Sequence, residues 1–248
     1  MGVLNASIDG GLGHLEINRP EVRNAINREL LDALHETLDA WRERDEVRAV
    51  VVSGAGGKAF ASGADIAELK ARTHREAFFG LNQALFQKLE DFPRPTLAAI
   101  DGFALGGGLE LALACDLRVA SRAAKLGLPE VSLGLFPGAG GTWRLPRVVG
   151  LGRAKELVFT GRLIGADEAF ALGLVERLVD DDARAAAFAL AREIAQHSPL
   201  AVQVAKVSLN AHARPAAPDG LDRLAQGLLF DSPDKHARMA AFLEKRRK

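Results

Sequence analysis

The order of hydrophobic and polar positions at the start of the chain predicts a hairpin, a helix and a further strand. Val3–Asp9 and Leu12–Asn18 flank Gly10–Gly11, as in two strands joined by a tight turn. Val47–Ser53 is rich in β-branched residues and ends at glycines, which predicts a buried strand. Between these strands, five apolar residues recur at the spacing of one helix face: Leu30, Leu31, Leu34, Leu38 and Trp41.

The alternation of strands and helices continues over the middle of the chain. It predicts a helix around Glu76–Asp91, a strand at Pro95–Asp101, a helix that begins near Gly107 and a strand at Asp116–Ala120. Such alternation is typical of a core in which helices cover a sheet. The sequence therefore predicts the α/β fold class.

After about residue 180 the chain shows helical patterns alone. Ser198–Pro199 and Ser232–Pro233 each place a capping hydroxyl before a proline that suits the first helical position. Arg214–Asp219, with two prolines, predicts a turn or linker between the two helices. We therefore expect an α/β core over residues 1–195 and a C-terminal helical region over residues 196–248.

The composition is that of a globular protein without a strong overall charge. Of the 248 residues, 48% are hydrophobic and 26% are charged, which excludes wholesale disorder. The 32 basic and 32 acidic residues cancel, so we expect neither a nucleic acid nor a membrane as partner. The single cysteine, Cys115, excludes an internal disulfide, and the first residues lack a secretory signal. Both features predict a cytoplasmic location.

Several common catalytic arrangements are missing from the sequence. The six histidines do not stand at metal-ligand spacing, so we expect no metal site. No serine lies in a Gly-x-Ser-x-Gly elbow, and Cys115 within an apolar run is interpreted as a core residue. The run GAGGKA at 54–59 follows a strand but opens no convincing helix, which argues against dinucleotide binding.

Two glutamates stand beside glycine-rich turns, and the first is Glu110. The run GGGLE at 106–110 leads into an apolar helix, whose first turn leaves backbone N–H groups free at Gly107 or Gly108. Such a helix start stabilises a developing oxyanion, and apolar neighbours tune a carboxylate for proton transfer. The alternative is that the glycines only allow close packing of helix on sheet, with Glu110 solvated at the edge.

The second glutamate, Glu130, follows a proline in GLPE at 127–130 and precedes another turn-rich run. By itself it is equally compatible with a charge at a helix N-terminus. A third turn, over residues 56–66, follows a strand and would direct the N–H of Ala64 to the same place, although an ordinary glycine-rich loop has this pattern too. Together these features suggest a pocket in which two carboxyl groups divide acid and base roles.

Five segments carry a resemblance to a known family over nearly the whole chain. They are NRPEVRNAI at 18–26, KAFASGADIAEL at 58–69, RPTLAAIDGFALGGGLELALACDLRVAS at 94–121, LGLPEVSLGLFPGAGGTWRLPRVVG at 126–150 and AFLEKRRK at 241–248. On these segments the chain resembles the crotonase superfamily of enoyl-CoA hydratases and isomerases. Because both glutamates are present, it is most similar to the enoyl-CoA hydratases.

The resemblance implies a crotonase-like spiral of ββα units with a C-terminal helical region for trimerisation. Trimers of this family usually pair into hexamers, so we expect a homotrimer or a homohexamer. The implied substrate is an acyl-CoA thioester, with coenzyme A as part of the substrate and no separate cofactor. The implied reaction is the reversible syn addition of water to a 2-trans-enoyl-CoA, which gives a 3-hydroxyacyl-CoA, as in fatty-acid β-oxidation.

The resemblance also implies roles for individual residues. Ala64 and Gly107 would donate the backbone N–H groups of an oxyanion hole that holds the thioester oxygen. Glu110 would help to activate the attacking water, and Glu130 would deliver a proton to the α-carbon. The implied substrate-binding residues are Val22, Ala64, Asp65, Ile66, Gly107, Gly138, Phe242 and Lys245.

The chain departs from the family pattern beside Val22, and two other functions stay open. Glu21 stands where hydratases frequently have a lysine, and an acid near CoA phosphates is unfavourable unless Arg23 compensates. One alternative is an enoyl-CoA isomerase, which uses the second glutamate position alone. The other is a non-catalytic or RNA-binding member of the superfamily, for which the terminal KRRK is the only support.

Overall fold

The computed structural model describes residues 2–74, 80–213, 227 and 229–247. The strands are β1 (Leu4–Asp9), β2 (Leu12–Ile17), β3 (Ala49–Gly54), β4 (Ala59–Ala61), β5 (Thr96–Ile100), β6 (Phe103–Leu105), β7 (Leu117–Ser121), β8 (Lys125–Gly127), β9 (Ile164–Gly165) and β10 (Arg177–Val179). The α-helices are α1 (Arg28–Arg42), α2 (Ile66–Ala71), α3 (Leu81–Glu90), α4 (Gly107–Ala114), α5 (Gly141–Val149), α6 (Leu151–Thr160), α7 (Ala166–Ala171), α8 (Ala183–Ala195), α9 (Pro199–Ala213) and α10 (Pro233–Arg247). Short 3-10 helices lie at Pro20–Val22 and Pro129–Leu133.

The strands form two sheets. In the larger sheet the order is β1-β2-β3-β5-β7-β10, and every neighbouring pair is parallel except the β1–β2 hairpin. The smaller sheet has the order β4-β6-β8-β9, in which β8 and β9 are antiparallel. From β3 onward the chain places one strand in each sheet and then forms a helix, as in β5, β6 and α4. This is the spiral of ββα units that the resemblance implies.

The larger sheet is buried on both faces. Successive side chains of β3 point to opposite faces, so Val50 and Val52 join the main core with α1, while Ala49 and Val51 pack against α8. All four side chains are buried. This explains why β3 is a continuous apolar run without polar alternation.

The predicted helix starts are confirmed where the structure describes them. The amphipathic helix is α1, whose predicted apolar residues are all buried and whose cap Asn27 accepts a hydrogen bond from the N–H of Leu30. Ser198 Oγ accepts from the N–H of Ala201 at 3.4 Å before α9, and Ser232 Oγ accepts from the N–H of Lys235 at 3.2 Å before α10. Within the described ranges, no helix has the length and apolarity needed to cross a bilayer.

Some predictions are only partly covered by the structure. The helix predicted around Glu76–Asp91 is α3, whereas residues 75–79 lie outside the described residues. The linker predicted at Arg214–Asp219 also lies outside them, and the division of the chain at residue 195 stays a prediction. GAGGKA leads into β4 and not into a helix, as expected. Cys115 is a core residue, and burial raises the pKa of its thiol to about 12.

Helix α4 packs very closely on β4 because of one glycine. A Cβ built on Gly108 would lie 2.1 Å from the carbonyl oxygen of Ala61, well inside van der Waals contact. Gly108 therefore sets the distance between α4, which carries Glu110, and the loop after β4, which carries Ala64. The packing interpretation of the glycine run is thus correct for this position.

We expect Gly108→Ala to destabilise the fold because the added methyl group overlaps the backbone of β4. Overpacking of this kind costs about 1–3 kcal/mol in the free energy of unfolding. Gly152→Ala in α6 is the matched control, since its added Cβ meets nothing within 4 Å and alanine favours helix. Scanning calorimetry should give a lower Tm for the first variant only, and equal Tm values would contradict the argument.

Candidate active site

A cavity of about 140 Å³ lies where the first turn of α4 meets the loop after β4 and the 3-10 helix at Pro129–Leu133. Its wall includes Glu110, Glu130, Ala64 and Gly107. These are the four residues predicted to be catalytic, and they come from three separate segments of the chain. The structure therefore brings the predicted constellation together in one place.

The two amides predicted for the oxyanion hole are neighbours. A Cβ built on Gly107 would lie 3.5 Å from the nitrogen of Ala64, and one built on Gly63 would lie 3.6 Å from the nitrogen of Gly107. Gly107 is the first residue of α4, so its N–H has no acceptor within the helix. The loop after β4 forms two hydrogen bonds with the backbone of Ile26, through the carbonyl of Gly63 and the N–H of Asp65. Because alternate N–H groups of an extended segment point in opposite directions, the N–H of Ala64 points away from Ile26. Two such donors suit one developing oxyanion.

Glu110 is buried and held by backbone donors. Its Oε1 accepts hydrogen bonds from the N–H of Ala139 at 2.7 Å and from the N–H of Gly141 at 2.9 Å. Gly141 is the first residue of α5, so the dipole of that helix adds to the stabilisation of a negative charge. The two donors fix the position of the carboxyl group, and both would stabilise a negative charge on it.

Glu130 lies in an environment of the opposite kind. Both carboxyl oxygens are buried and have no hydrogen-bond partner within the described part of the chain. Burial, and then the charge of Glu110, raise the pKa of Glu130 well above its ordinary value. Gly106 leaves room for this group, because a Cβ at that position would lie 3.1 Å from Glu130 Oε1. Glu130 therefore retains a proton at pH values where an exposed glutamate is ionised.

The rest of the cavity wall is mainly apolar. Arg72 donates a hydrogen bond to Asn82 Oδ1 at 3.1 Å, and both residues line the cavity. The predominantly apolar wall is suited to a hydrocarbon chain beside the polar glutamates. The large apolar side chains in the wall are Ile66, Leu69, Leu81, Leu133, Leu135, Phe136 and Phe230.

The other predicted substrate-binding residues divide into two groups. Ile66 and Gly138 line the cavity. Asp65 instead caps α2 by accepting from the N–H of Ala67 at 3.1 Å, and it forms an ion pair with Arg19 at 3.3 Å. The predicted residues that lie outside the described cavity wall are Val22, Asp65, Phe242 and Lys245. Their contact with coenzyme A stays a prediction.

Three buried polar residues that the sequence analysis did not single out surround the turn that holds Glu110. Gln83 Nε2 donates a hydrogen bond to the carbonyl oxygen of Gly138, and Arg144 Nη1 donates to that of Ala139 at 3.1 Å. Arg144 also pairs with Glu90 at 2.7 Å. Burial opposes ionisation of Glu90, but the Arg144 guanidinium outweighs it and lowers the pKa of Glu90. The sequence feature that could have identified Gln83 and Glu90 is their spacing of i and i+7 on an otherwise apolar face of α3.

Comparison with known proteins identifies relatives along almost the whole chain. The family described as enoyl-CoA hydratase/isomerase matches residues 7–248. The chain is 40% identical to the short-chain-enoyl-CoA hydratase of Clostridium acetobutylicum, over 96% of this chain and 94% of the relative. It is 41% identical to the crotonyl-CoA hydratase of Syntrophomonas wolfei, over 95% and 93%. A crystal structure of an enoyl-CoA hydratase from Bacillus anthracis is similar with a TM-score of 0.82 and 37% identity, over 98% and 96% of the two chains.

We expect Glu130→Gln to stabilise the protein, because the wild-type carboxyl group is buried and no residue that the structure describes donates a hydrogen bond to it. The raised pKa means that the stability contributed by protonated Glu130 is present below the unfolded-state pKa of about 4.3 and is lost as pH rises toward the folded-state value. The Tm of the variant should therefore exceed that of the wild type by more at pH 8 than at pH 5. Each kcal/mol of difference in the free energy of unfolding corresponds to roughly 2–4 °C in Tm.

Glu36→Gln on the exposed face of α1 is the control for this measurement. Its Tm difference from the wild type should stay small and change little with pH, since surface substitutions usually alter stability by less than about 0.5 kcal/mol. A Glu130→Gln variant that gains nothing at pH 8 relative to pH 5 would show that the buried carboxyl group carries no such cost.

Proposed function

The chain belongs to the enoyl-CoA hydratase/isomerase family, and from this premise we propose that it is an enoyl-CoA hydratase. It adds water reversibly and with syn geometry to a 2-trans-enoyl-CoA and gives a 3-hydroxyacyl-CoA. The observation that carries this proposal is the shared cavity, in which Glu110 and Glu130 lie with the amides of Ala64 and Gly107.

The two backbone amides act on the thioester carbonyl. Its oxygen accepts hydrogen bonds from the N–H groups of Ala64 and Gly107, and this polarisation makes C3 of the conjugated acyl group electrophilic. When water adds to C3, the transition state becomes enolate-like and negative charge develops on the carbonyl oxygen. The donors bind this charge more strongly than the neutral carbonyl, so they lower the barrier to addition.

The two glutamates divide the proton transfers according to their environments. Glu110, whose ionised form is stabilised by the N–H groups of Ala139 and Gly141, accepts a proton from the attacking water. Glu130, which retains a proton because of burial, delivers it to C2. One proton is gained and one is lost by the enzyme, so exchange with solvent restores both groups. Because the two carboxyl groups interact, the pair titrates as a unit.

The alternative functions have less support. An isomerase that uses Glu130 alone gives no reason for a second carboxylate that is held by two backbone donors. Burial of two carboxyl groups in one cavity lowers stability, and such a cost is usually retained only where function requires it. A non-catalytic or RNA-binding protein gives no reason for this cost. Hydration is the reaction in which each of the two carboxyl groups carries out a proton transfer.

The C-terminal helices support a homo-oligomer, and we extend the proposal to a homotrimer or homohexamer. On α9, three apolar side chains at i, i+4 and i+7 are exposed: Leu200 by 69%, Val204 by 58% and Val207 by 61%. An exposed apolar row of this kind is typical of a surface that a partner covers. Phe242 and Lys245 of α10 would then complete the coenzyme A site. A cytoplasmic location and a role in β-oxidation are proposals that rest on the sequence-based expectations.

We expect sedimentation velocity to show a trimer or hexamer, and we expect Val204→Asp to shift the protein toward monomers. A charge in the middle of the apolar row is costly when a partner covers it and harmless when the row faces water. Ala40→Asp, which places the same charge at an exposed position of α1, is a control that should leave the assembly unchanged. A wild-type chain that sediments as a monomer would contradict this part of the proposal.

We expect Glu110→Gln and Glu130→Gln each to lower the kcat for hydration of crotonyl-CoA by at least about 100-fold, because each removes one proton transfer. Binding of the thioester should stay intact, since neither glutamate provides the oxyanion donors. Loss of absorbance of the conjugated double bond measures the rate, and Glu36→Gln serves as the control. Near-normal turnover in either variant would remove that glutamate from the mechanism.

A further inference from the structure

Gln83 is a buried polar residue on the first turn of α3, and it contacts the turn that holds Glu110. Only 6% of its surface is exposed, and its Nε2 donates a hydrogen bond to the carbonyl oxygen of Gly138. That carbonyl belongs to the same peptide group as the N–H of Ala139, which donates to Glu110 Oε1 at 2.7 Å. The side chain of Gln83 is therefore connected to the carboxylate of Glu110 through a single peptide group.

A donor to one end of a peptide group affects the other end. When a carbonyl oxygen accepts a hydrogen bond, its peptide group becomes more polarised and its own N–H becomes a better donor. The bond from Gln83 also fixes the plane of the peptide group, and with it the direction of the Ala139 N–H. Both effects act on the position and the charge of Glu110.

A second buried donor holds the following peptide group. Arg144 donates to the carbonyl oxygen of Ala139 at 3.1 Å, and its guanidinium is fixed by Glu90 at 2.7 and 2.9 Å. Two consecutive carbonyl groups of the turn are thus bound by side chains, while the N–H groups of Ala139 and Gly141 are directed to Glu110. Gln83 and Arg144 therefore support the turn from its carbonyl side, while its N–H groups hold the carboxylate of Glu110.

We propose that Gln83 is a positioning residue for hydration, which acts on Glu110 through the peptide group between Gly138 and Ala139. This inference rests on the proposed function, because it concerns the carboxylate that activates water. Gln83 also lines the cavity, so the competing explanation is a direct contact with the acyl chain. The two explanations predict different effects of a Gln83 variant on KM. They also differ in whether the loss of kcat varies with acyl-chain length and whether it persists when Glu110 is replaced.

The first test is Gln83→Met, which keeps the length of the side chain and removes the donor. We expect kcat for crotonyl-CoA to fall about 10-fold, since small misplacement of a catalytic group has effects of up to about 100-fold. KM should stay within about twofold, because ground-state binding does not use Glu110. The fold loss in kcat should be equal for four-carbon and eight-carbon substrates, and a loss that depends on chain length or appears in KM would overturn the inference.

The decisive test is a double-mutant cycle with Glu110→Gln. If Gln83 acts through Glu110, adding Gln83→Met to Glu110→Gln should lower kcat no further. A merely structural role, or a contact with the acyl chain, would instead multiply the two losses, and this outcome would overturn the inference. Gln196→Met, the same substitution at an exposed position directly after α8, is the matched control and should keep wild-type kcat.

A second variant keeps the inference testable if Gln83→Met does not fold. Gln83→Leu has a similar volume and no hydrogen-bond donor, so kcat should fall about as far as in Gln83→Met. Wild-type kcat in a folded Gln83→Leu variant would overturn the inference. Normal kcat in Glu110→Gln itself would refute the proposed function, whereas normal kcat in the Gln83 variants alone would refute only the role of Gln83.

Discussion

Two carboxyl groups share one cavity, and the surrounding structure has to hold them in different protonation states. Like charges in a small buried space repel strongly, so both groups cannot be ionised at low cost. The difference comes from hydrogen-bond donors. Glu110 accepts hydrogen bonds from the N–H groups of Ala139 and Gly141, whereas Glu130 accepts none from the described part of the chain. In the proposed mechanism, the turn at residues 138–141 and the start of α5 therefore decide which group gives a proton and which accepts one.

Three consecutive glycines at the start of α4 meet three separate requirements of this cavity. Gly106 leaves space for the carboxyl group of Glu130, Gly107 presents its N–H beside that of Ala64, and Gly108 allows α4 to approach β4. A side chain at the third position would overlap the backbone of Ala61, and one at the first would have to adopt the positive φ of 53° that favours glycine. Close packing and catalysis are therefore not competing interpretations of this run, because the oxyanion hole exists only when helix and loop are in close contact.

The parts of the structure that depend on local sequence could be predicted, and the parts that depend on distant contacts could not. The face of α1, the buried strand β3 and the serine caps of α9 and α10 follow from residues a few positions apart. Strands β4, β6 and β8 have three residues each, too few for a pattern, so the second sheet was implied by resemblance alone. The donors to Glu110 lie 29 and 31 positions away, and the contact of Gln83 with Gly138 spans 55 positions.

The polar groups behind the turn and those inside the cavity meet opposite demands. Glu130 has no hydrogen-bond donor among the described residues, which lowers stability and, in the proposed mechanism, keeps a proton available for transfer. Behind the turn, Gln83 and Arg144 bind consecutive carbonyl groups, and Glu90 holds Arg144. If this support relaxed, the N–H groups of the turn would move away from Glu110, and its negative charge would lose stabilisation relative to that of Glu130. The proton would then be shared more evenly between the two groups. In the proposed mechanism, the division of acid and base roles therefore depends on the hydrogen bonds that Gln83 and Arg144 donate to the turn.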